Sequence, residues 1–235
     1  MNKYIFLLGM IVFSLNIFGQ KKILLRFENV ANGKKIVLND SVYENNFGEK
    51  YRVSKLKYYV SNICLLTKGA LEIDKAVYLI DAAKENMIIK KIGRKIVGIS
   101  FTIGVDSALN CSGAQSGALD PLNDMFWTWN NGYVMFKLEG KSNSSSADNN
   151  RIEQHIGGYK GAYKTMREIF LPIDEKYFLK NNTITIQMNL DKYWDEVNKI
   201  TIAESPVIAT SGALAKKAAD NFVKIFSVKG VQRVK

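Results

Sequence analysis

Two tryptophans one residue apart, Trp127 and Trp129, are the side chains in this sequence best suited to chemistry. They lie in the run GALDPLNDMFWTWNNGYVMFKLEG, between a turn-forming segment and a segment typical of a β-strand. Residues at this spacing on a strand point to the same face. Neighbouring indoles on one face can pack in a core, stack on a carbohydrate, or be oxidised, because indole is among the most easily oxidised side chains. The pattern leaves all three uses open.

The single histidine, His155, could bind a metal, but a lone histidine is more often a hydrogen-bonded structural residue than a ligand. Gly157 and Gly158 follow it, which would end a strand and let backbone or a ligand approach closely. One histidine excludes most zinc sites, which need three or four Cys, His or carboxylate ligands. The serine- and glycine-rich run SGAQSG matches no nucleophile elbow. These residues therefore indicate no catalytic site of a serine hydrolase.

Three aspartates, Asp106, Asp120 and Asp124, lie in the turn-rich stretch before the tryptophans. They could bind calcium, but they lack the ligand spacing of an EF-hand loop. We expect them instead to make the local hydrogen bonds of caps and turns.

The two cysteines, Cys64 and Cys111, belong to no CxxC or CxxCH motif, so neither a redox dithiol nor a covalently bound haem is indicated. In an oxidising compartment they could form a disulfide. Closing so long a loop would stabilise the fold by about 4 kcal/mol in the chain-entropy treatment. The alternative is one or two buried free thiols.

The N-terminus is typical of a secretory signal peptide. Lys3 supplies a positive charge, an apolar run extends from Tyr4 to Phe18, and Gly19 is a small residue at a plausible cleavage point. The run is too short for a membrane-spanning helix and has no stop-transfer flank. We predict a signal peptide over residues 1–19, a single domain over residues 20–235, and a mature protein in the periplasm or secreted.

The net charge of +11 favours a negatively charged partner or surface. The basic residues are spread along the chain, and the densest cluster, KKIGRK, is interpreted as a solvated turn. Nucleic-acid binding needs a basic patch and a compartment that contains nucleic acid, and an exported protein lacks the second.

Alternation of apolar and polar residues dominates the remaining sequence and predicts an all-β fold, an antiparallel sandwich or barrel, of which we predict the antiparallel β-sandwich. Thr183–Leu190 and Tyr133–Leu138 show it most clearly. A short helix is predicted over Lys192–Asn198 and a C-terminal helix over Ala213–Phe226, capped by Thr210 or Ser211. The other predicted strands are Lys22–Phe27, Lys35–Leu38, Leu56–Leu66, Ala76–Asp81, Ile96–Ile103, Ile152–Ile156 and Thr165–Leu171.

At these residues the chain resembles a known family, the MbnP-like proteins, which are periplasmic copper-binding proteins related to the methanobactin-associated protein MbnP. The GALDP…MFWTWN run is the most specific part of the resemblance, which covers most of the mature chain. The segments that carry it are LKYYVSNICL (Leu56–Leu65), ISFTIGVDSALN (Ile99–Asn110), the Gly117–Gly140 run, HIGG (His155–Gly158) and AADNFVKIF (Ala218–Phe226).

The resemblance implies a function that the residues alone do not show. Such proteins occur beside a dihaem cytochrome c peroxidase of the MauG type, which oxidises a tryptophan to kynurenine. Copper then binds through histidine and the kynurenine amine. Carried onto this chain, the resemblance makes Trp127 the first candidate for modification and Trp129 the second, and it makes His155 and modified Trp127 the copper ligands.

This chain departs from the family pattern in one respect. Related copper sites use two histidines, whereas this chain contains one. A methionine such as Met125 or Met135 could supply a further soft ligand. The expected function is an exported copper-binding protein that is not itself an enzyme and in which the peroxidase oxidises Trp127 or Trp129. This requires both tryptophans to lie near the surface. The alternatives are a glycan- or partner-binding module that uses the tryptophans as a stacking platform, and a structural domain with both tryptophans in its core.

Overall fold

The computed structural model describes residues 21–92, 95–128, 132–174 and 182–233. The predicted signal peptide and Trp129 lie outside these residues. The strands are β1 (Lys21–Ala31), β2 (Lys34–Lys35), β3 (Tyr43–Glu44), β4 (Lys50–Thr67), β5 (Ala70–Asp81), β6 (Asn86–Ile92), β7 (Ile96–Ile103), β8 (Phe126–Trp127), β9 (Gly132–Lys141), β10 (Arg151–Gly157), β11 (Arg167–Pro172), β12 (Asn182–Asn189), β13 (Val207–Ile208) and β14 (Phe226–Arg233). The helices are α1 (Ser107–Cys111), α2 (Asp191–Trp194), α3 (Ala213–Asp220) and α4 (Phe222–Ile225).

Within the described residues these strands form two sheets, which confirms the predicted all-β, sandwich-like fold. The smaller sheet has the order β14-β12-β1-β2, with β6 also paired to β1. The larger has the order β11-β7-β4-β9-β10-β13, with β3 and β5 on β4 and β8 on β9. The sheets are mixed and not purely antiparallel, because β1 runs parallel to β12 and β10 parallel to β13. That part of the prediction is wrong, since alternation reports which face is buried and not strand direction.

The core lies between the two sheets, and one face of each strand contributes its side chains to it. In β12, Ile184, Ile186 and Met188 enter it. In β9, Phe136 and Leu138 do the same, so the residues between them point to the outer face of the larger sheet. That outer face carries the candidate site.

The C-terminal region differs from the prediction. The helix ends at Asp220, a one-turn helix follows, and the chain then continues as β14. The N-cap residue of α3 is Gly212, without a side-chain cap hydrogen bond. The helical run is interrupted at Asn221, a fully buried residue whose amide donates to the carbonyl oxygens of Tyr193 and Asn198. These two hydrogen bonds hold the junction of α3 and α4 against the segment that contains α2.

Both thiols are free in the structure. Cys64 is buried on β4, and Cys111 is exposed at the end of α1. Of the two interpretations of the cysteines, the structure therefore shows free thiols, one of them buried, and not the disulfide. No helix among the described residues is long and apolar enough to cross a membrane.

The register between β4 and β9 depends on a glycine. A Cβ atom at Gly140 would lie 2.0 Å from the carbonyl oxygen of Arg52, a backbone atom that cannot move without disturbing the ladder. We expect Gly140→Ala to lower the free energy of unfolding by about 3 kcal/mol, at the upper end of overpacking costs. Chemical denaturation measures this.

Gly230→Ala on β14 is the matched control, because a Cβ there meets nothing within 4 Å. It should leave stability unchanged or raise it slightly by restricting the unfolded chain. Equal destabilisation by both substitutions would contradict the proposed clash.

Candidate functional site

The candidate site is built on three adjacent strands of the larger sheet, β4, β9 and β10. Lys137 on β9 lies opposite His155 on β10, and Glu139 lies opposite Glu153. Residues paired in this way share a face, here the one turned away from the core. The sequence places these charges there because they alternate with core residues such as Phe136 and Leu138.

His155 is held between two carboxylates. Its Nε2 is 2.9 Å from Oε1 of Glu139, and its Nδ1 is 3.3 Å from Oε1 of Glu153. The histidine is only 8% exposed. Both ring nitrogens therefore face a carboxylate, and the ring is fixed in position from two sides.

Lysines complete the network around Glu139. Lys55 Nζ is 3.0 Å from Glu139 and 2.6 Å from Asp124, and Lys137 Nζ is 3.0 Å from Asp124. The hydrogen bond from His155, together with Lys55 and Lys137, lowers the pKa of Glu139 from 4.5 to about 2. Burial opposes a low pKa at Asp124, but its bonds to Lys55 and Lys137 outweigh burial and lower it.

Trp127 lies in a second apolar cluster on the same outer face, beyond the ionic network. The cluster includes Tyr59, Met125, Tyr133 and Met135 and is separate from the main core. It is covered by the segment that carries α1 and two short 3₁₀ turns. Trp127 is 3% exposed, so the indole is a packed side chain.

The Trp127 ring rests directly on the backbone of Gly157. A Cβ at Gly157 would come within 2.6 Å of the six-membered part of the indole, so only glycine allows this packing. Gly157 is two positions beyond His155 on β10. The fold thus brings Trp127 and His155 to one stretch of this strand, from segments nearly thirty residues apart.

A small cavity of about 80 Å³ reaches Trp127 from the surface. Its lining includes Tyr133, Tyr159, Lys160 and Ser211. The ammonium group of Lys160 lies 5.5 Å from the centre of the Tyr159 ring. The cavity is large enough for water-sized molecules but not for a sugar ring.

The other predicted residues have different positions. Asp106 accepts a hydrogen bond from the backbone of Leu109 at the start of α1, and Asp120 accepts one from Leu122, as predicted for caps and turns. Met125 is fully buried, and the sulfur of Met135 is 3.1 Å from the backbone nitrogen of Val105. Neither methionine is presented as a metal ligand.

Sequence reasoning missed the ionic network. The signal was present in YVMFKLEG, where Lys137 and Glu139 occupy alternate positions of an otherwise apolar strand. A charged residue in such a strand is rarely buried unless it is paired. The partners, however, come from β4 and from the loop at Asp124, and a single sequence does not show those contacts.

The unmodified chain does not form a complete metal site among its described residues. No group of three His, Cys, Asp or Glu side chains converges on a point where a cation could bind. His155 already faces Glu139 and Glu153, and Lys55 and Lys137 place positive charge beside Glu139. The donor set present therefore does not fit copper without a further ligand.

Comparison with known proteins gives two findings. A family model described as MbnP matches residues 20–211. A solved structure, MbnP from Methylosinus trichosporium, aligns with a TM-score of 0.62 at 16% identity and covers 90% of this chain and 99% of that chain. At this identity the structural likeness shows the fold alone. No curated protein matches the chain.

The lowered pKa of Glu139 makes this network a source of pH-dependent stability. Above about pH 4.5 Glu139 is charged in the folded and unfolded chains, so its contribution is fully present. As the pH falls through about 2, protonation removes that contribution. Because the carboxylate is partly solvated, we expect Glu139→Gln to cost about 1–2 kcal/mol at neutral pH.

The loss of stability on acidification should be shallower in Glu139→Gln than in the parent between these pH values. Urea unfolding at a series of pH values measures it. Glu168→Gln, at an exposed carboxylate on β11, is the control and should keep the parent slope. An unchanged slope in Glu139→Gln would show that the network does not stabilise the fold.

Proposed function

This chain belongs to the MbnP family, and from that premise we propose that it is an exported protein, periplasmic or secreted, whose Trp127 is oxidised by a dihaem cytochrome c peroxidase of the MauG type. In this proposal the chain is the substrate and not the enzyme. The observation that carries it is the placement of Trp127: a packed, oxidisable indole that lies on Gly157, two strand positions beyond His155, and lines a small cavity.

The placement of Trp127 differs from the expectation of an indole near the surface. Its ring is almost fully buried, but one edge reaches the cavity lined by Tyr133 and Tyr159. Removal of an electron from the indole does not require contact between the ring and the partner, because electrons tunnel over short distances through protein. The surrounding apolar cluster holds the indole in one position while successive electrons are removed from it.

Conversion to kynurenine has a defined balance. Two water molecules supply oxygen to C2 and C3 as the C2–C3 bond breaks, and four protons and four electrons leave the ring; the electrons pass to the partner enzyme and from it to hydrogen peroxide. A further water hydrolyses the resulting N-formyl group, which releases the former C2 as formate and leaves the aryl amine. The product has gained one oxygen and lost one carbon. The reaction needs water at the ring, and the cavity provides a path for molecules of that size.

Copper binding, as the family suggests, is proposed only for the modified chain. The unmodified donor set is incomplete, as described above. Opening of the indole would add an amine next to the β10 segment that carries His155, so the two ligands would be His155 and the amine at position 127. The proposal includes no further ligand, because Met125 and Met135 are committed to packing.

The glycan-binding alternative loses its main support. A stacking platform needs an exposed ring face, and Trp127 is 3% exposed. Trp129, the second tryptophan of that platform, lies outside the described residues. The structural alternative, with Trp127 as core, agrees with its burial but predicts no chemistry at the residue.

Substitution of Trp127 tests the proposal. The purified chain is incubated with the dihaem peroxidase of its own organism and hydrogen peroxide, and peptides are analysed by mass spectrometry. We expect kynurenine at position 127 in the parent and none in Trp127→Phe. Trp194→Phe is the control, because Trp194 is fully buried in the main core and should not affect oxidation.

The same samples test copper binding by titration calorimetry. Oxidised protein should bind copper at least about tenfold more tightly than unoxidised protein, a gain of about 1.4 kcal/mol, and His155→Ala should remove that gain. Oxidation confined to another tryptophan, or unchanged modification in Trp127→Phe, would reject the assignment of Trp127. A destabilised Trp127→Phe variant with no effect on partner chemistry would favour the structural alternative.

A further inference from the structure

A second surface feature lies at the opposite end of the same strands, far from Trp127. We call it the basic groove and define it by Lys50, Arg52, Lys141, Ser142, Asn143 and Asn150. It is an open depression with a volume of about 590 Å³, within the range of small-molecule pockets. Eight residues along β9 separate Lys141 from Tyr133 beside Trp127, about 27 Å at the rise of a strand.

Three positive residues lie side by side across the strands at this groove. Arg52 on β4 is paired with Lys141 on β9, and Lys141 is paired with Arg151 on β10. Like charges directly opposite each other destabilise a sheet. The row therefore lowers the stability of the fold, and unfavourable arrangements of this kind occur mainly at functional sites.

The protein itself neutralises this row only in part. Arg151 is 3.5 Å from Glu153, and the guanidinium of Arg52 donates to the backbone carbonyl of Asp40. Lys141 and Lys50 are exposed, and no ion pair is described for either, although Glu44 lies opposite Lys50 on β3. Within the described residues the positive charge of this row is thus only partly compensated, and Lys141 is its least compensated member.

The lysines of the ionic network, on the same face of the sheet, are paired with carboxylates, unlike Lys141 of the groove. Lys55 and Lys137 each contact two carboxylates, so that part of the face is electrically balanced. The imbalance at the groove is therefore local and is not a simple consequence of the high net charge of the chain.

The basic surface continues beyond the groove. A neighbouring depression of about 400 Å³ shares Val42 with it and is lined by Lys34 and Lys35, both exposed. Together the two depressions are lined by five exposed basic side chains, those of Lys34, Lys35, Lys50, Arg52 and Lys141. This arrangement suits a chain of repeated negative charges.

The groove also offers many neutral hydrogen-bonding groups. Asn143, Ser144 and Asn150 line it, and the backbone of this hairpin is held by hydrogen bonds from Ser142 to Lys50 and from Ser145 to Arg151. Amides and hydroxyls on a fixed turn are suited to the hydroxyl groups of sugars. The one aromatic residue of the lining, Tyr51, is 1% exposed, so no anchor typical of a protein interface is presented.

From these observations we infer that the basic groove binds an acidic polysaccharide, with Lys50, Arg52 and Lys141 contacting its carboxylate groups and the Ser142–Asn150 hairpin contacting its hydroxyls. This site is independent of the oxidation proposed at Trp127. Because its contacts are exposed ion pairs, binding should weaken steeply as salt is added.

A pair of matched double variants of the full-length mature protein tests the inference. K50Q/K141Q removes two charges from the groove, and K217Q/K224Q removes two exposed charges from α3 and α4. The probes are polygalacturonate, uncharged dextran, and vesicles of phosphatidylglycerol or phosphatidylcholine, with binding measured by biolayer interferometry at low salt. Thermal melting confirms that both variants fold.

We expect the parent to bind polygalacturonate and not dextran. K50Q/K141Q should bind about tenfold more weakly, whereas K217Q/K224Q should stay within about twofold of the parent. Equal loss in both variants would assign binding to net charge and overturn the inference. Binding to phosphatidylglycerol vesicles but not to the polymer would identify a lipid surface and also overturn it, as would no binding to any probe.

Discussion

The pairing register of β4 is the constraint on which the rest of the structure depends. This strand pairs with β3, β5, β7 and β9, so it fixes the relative positions of most of the larger sheet. Leu56 lies opposite Leu138 in the core, and Lys57 lies opposite Lys137 on the outer face. A slip of one residue would exchange these faces and bury the lysines in the core. The ionic network, the support for Trp127 and the basic groove all follow from this single register.

The sequence predicts the parts of the fold that depend on local pattern. Alternation in β9 and β12 is clear, and the structure confirms both strands. The pattern fails where tertiary contacts override it. The apolar stripe that predicts one helix to Phe226 is broken at Asn221, because that buried amide bonds to α2, and Phe226 instead begins β14. The parallel pairing of β1 with β12 is also invisible in the sequence, since it joins segments some 160 residues apart.

The sequence identifies two main residues of the candidate site but does not predict how they are arranged. Trp127 and His155 stand out by residue type, yet the contact of the indole with Gly157 and the two carboxylates around the imidazole come from three separate segments. Family membership rests on a match to the family model over residues 20–211 and does not require a particular ligand set. A metal site needs a set of converging donors, which the described residues of the chain lack.

The most direct measurement is a peptide mass map of the protein purified from its own host, covering the segment from Gly117 to Gly140. The account predicts that Trp127 has gained one oxygen and lost one carbon, the composition of kynurenine. An unmodified Trp127, in cells that express the partner peroxidase, would contradict the central claim. The fold and the family would remain, and Trp127 would then be a structural residue of the second apolar cluster.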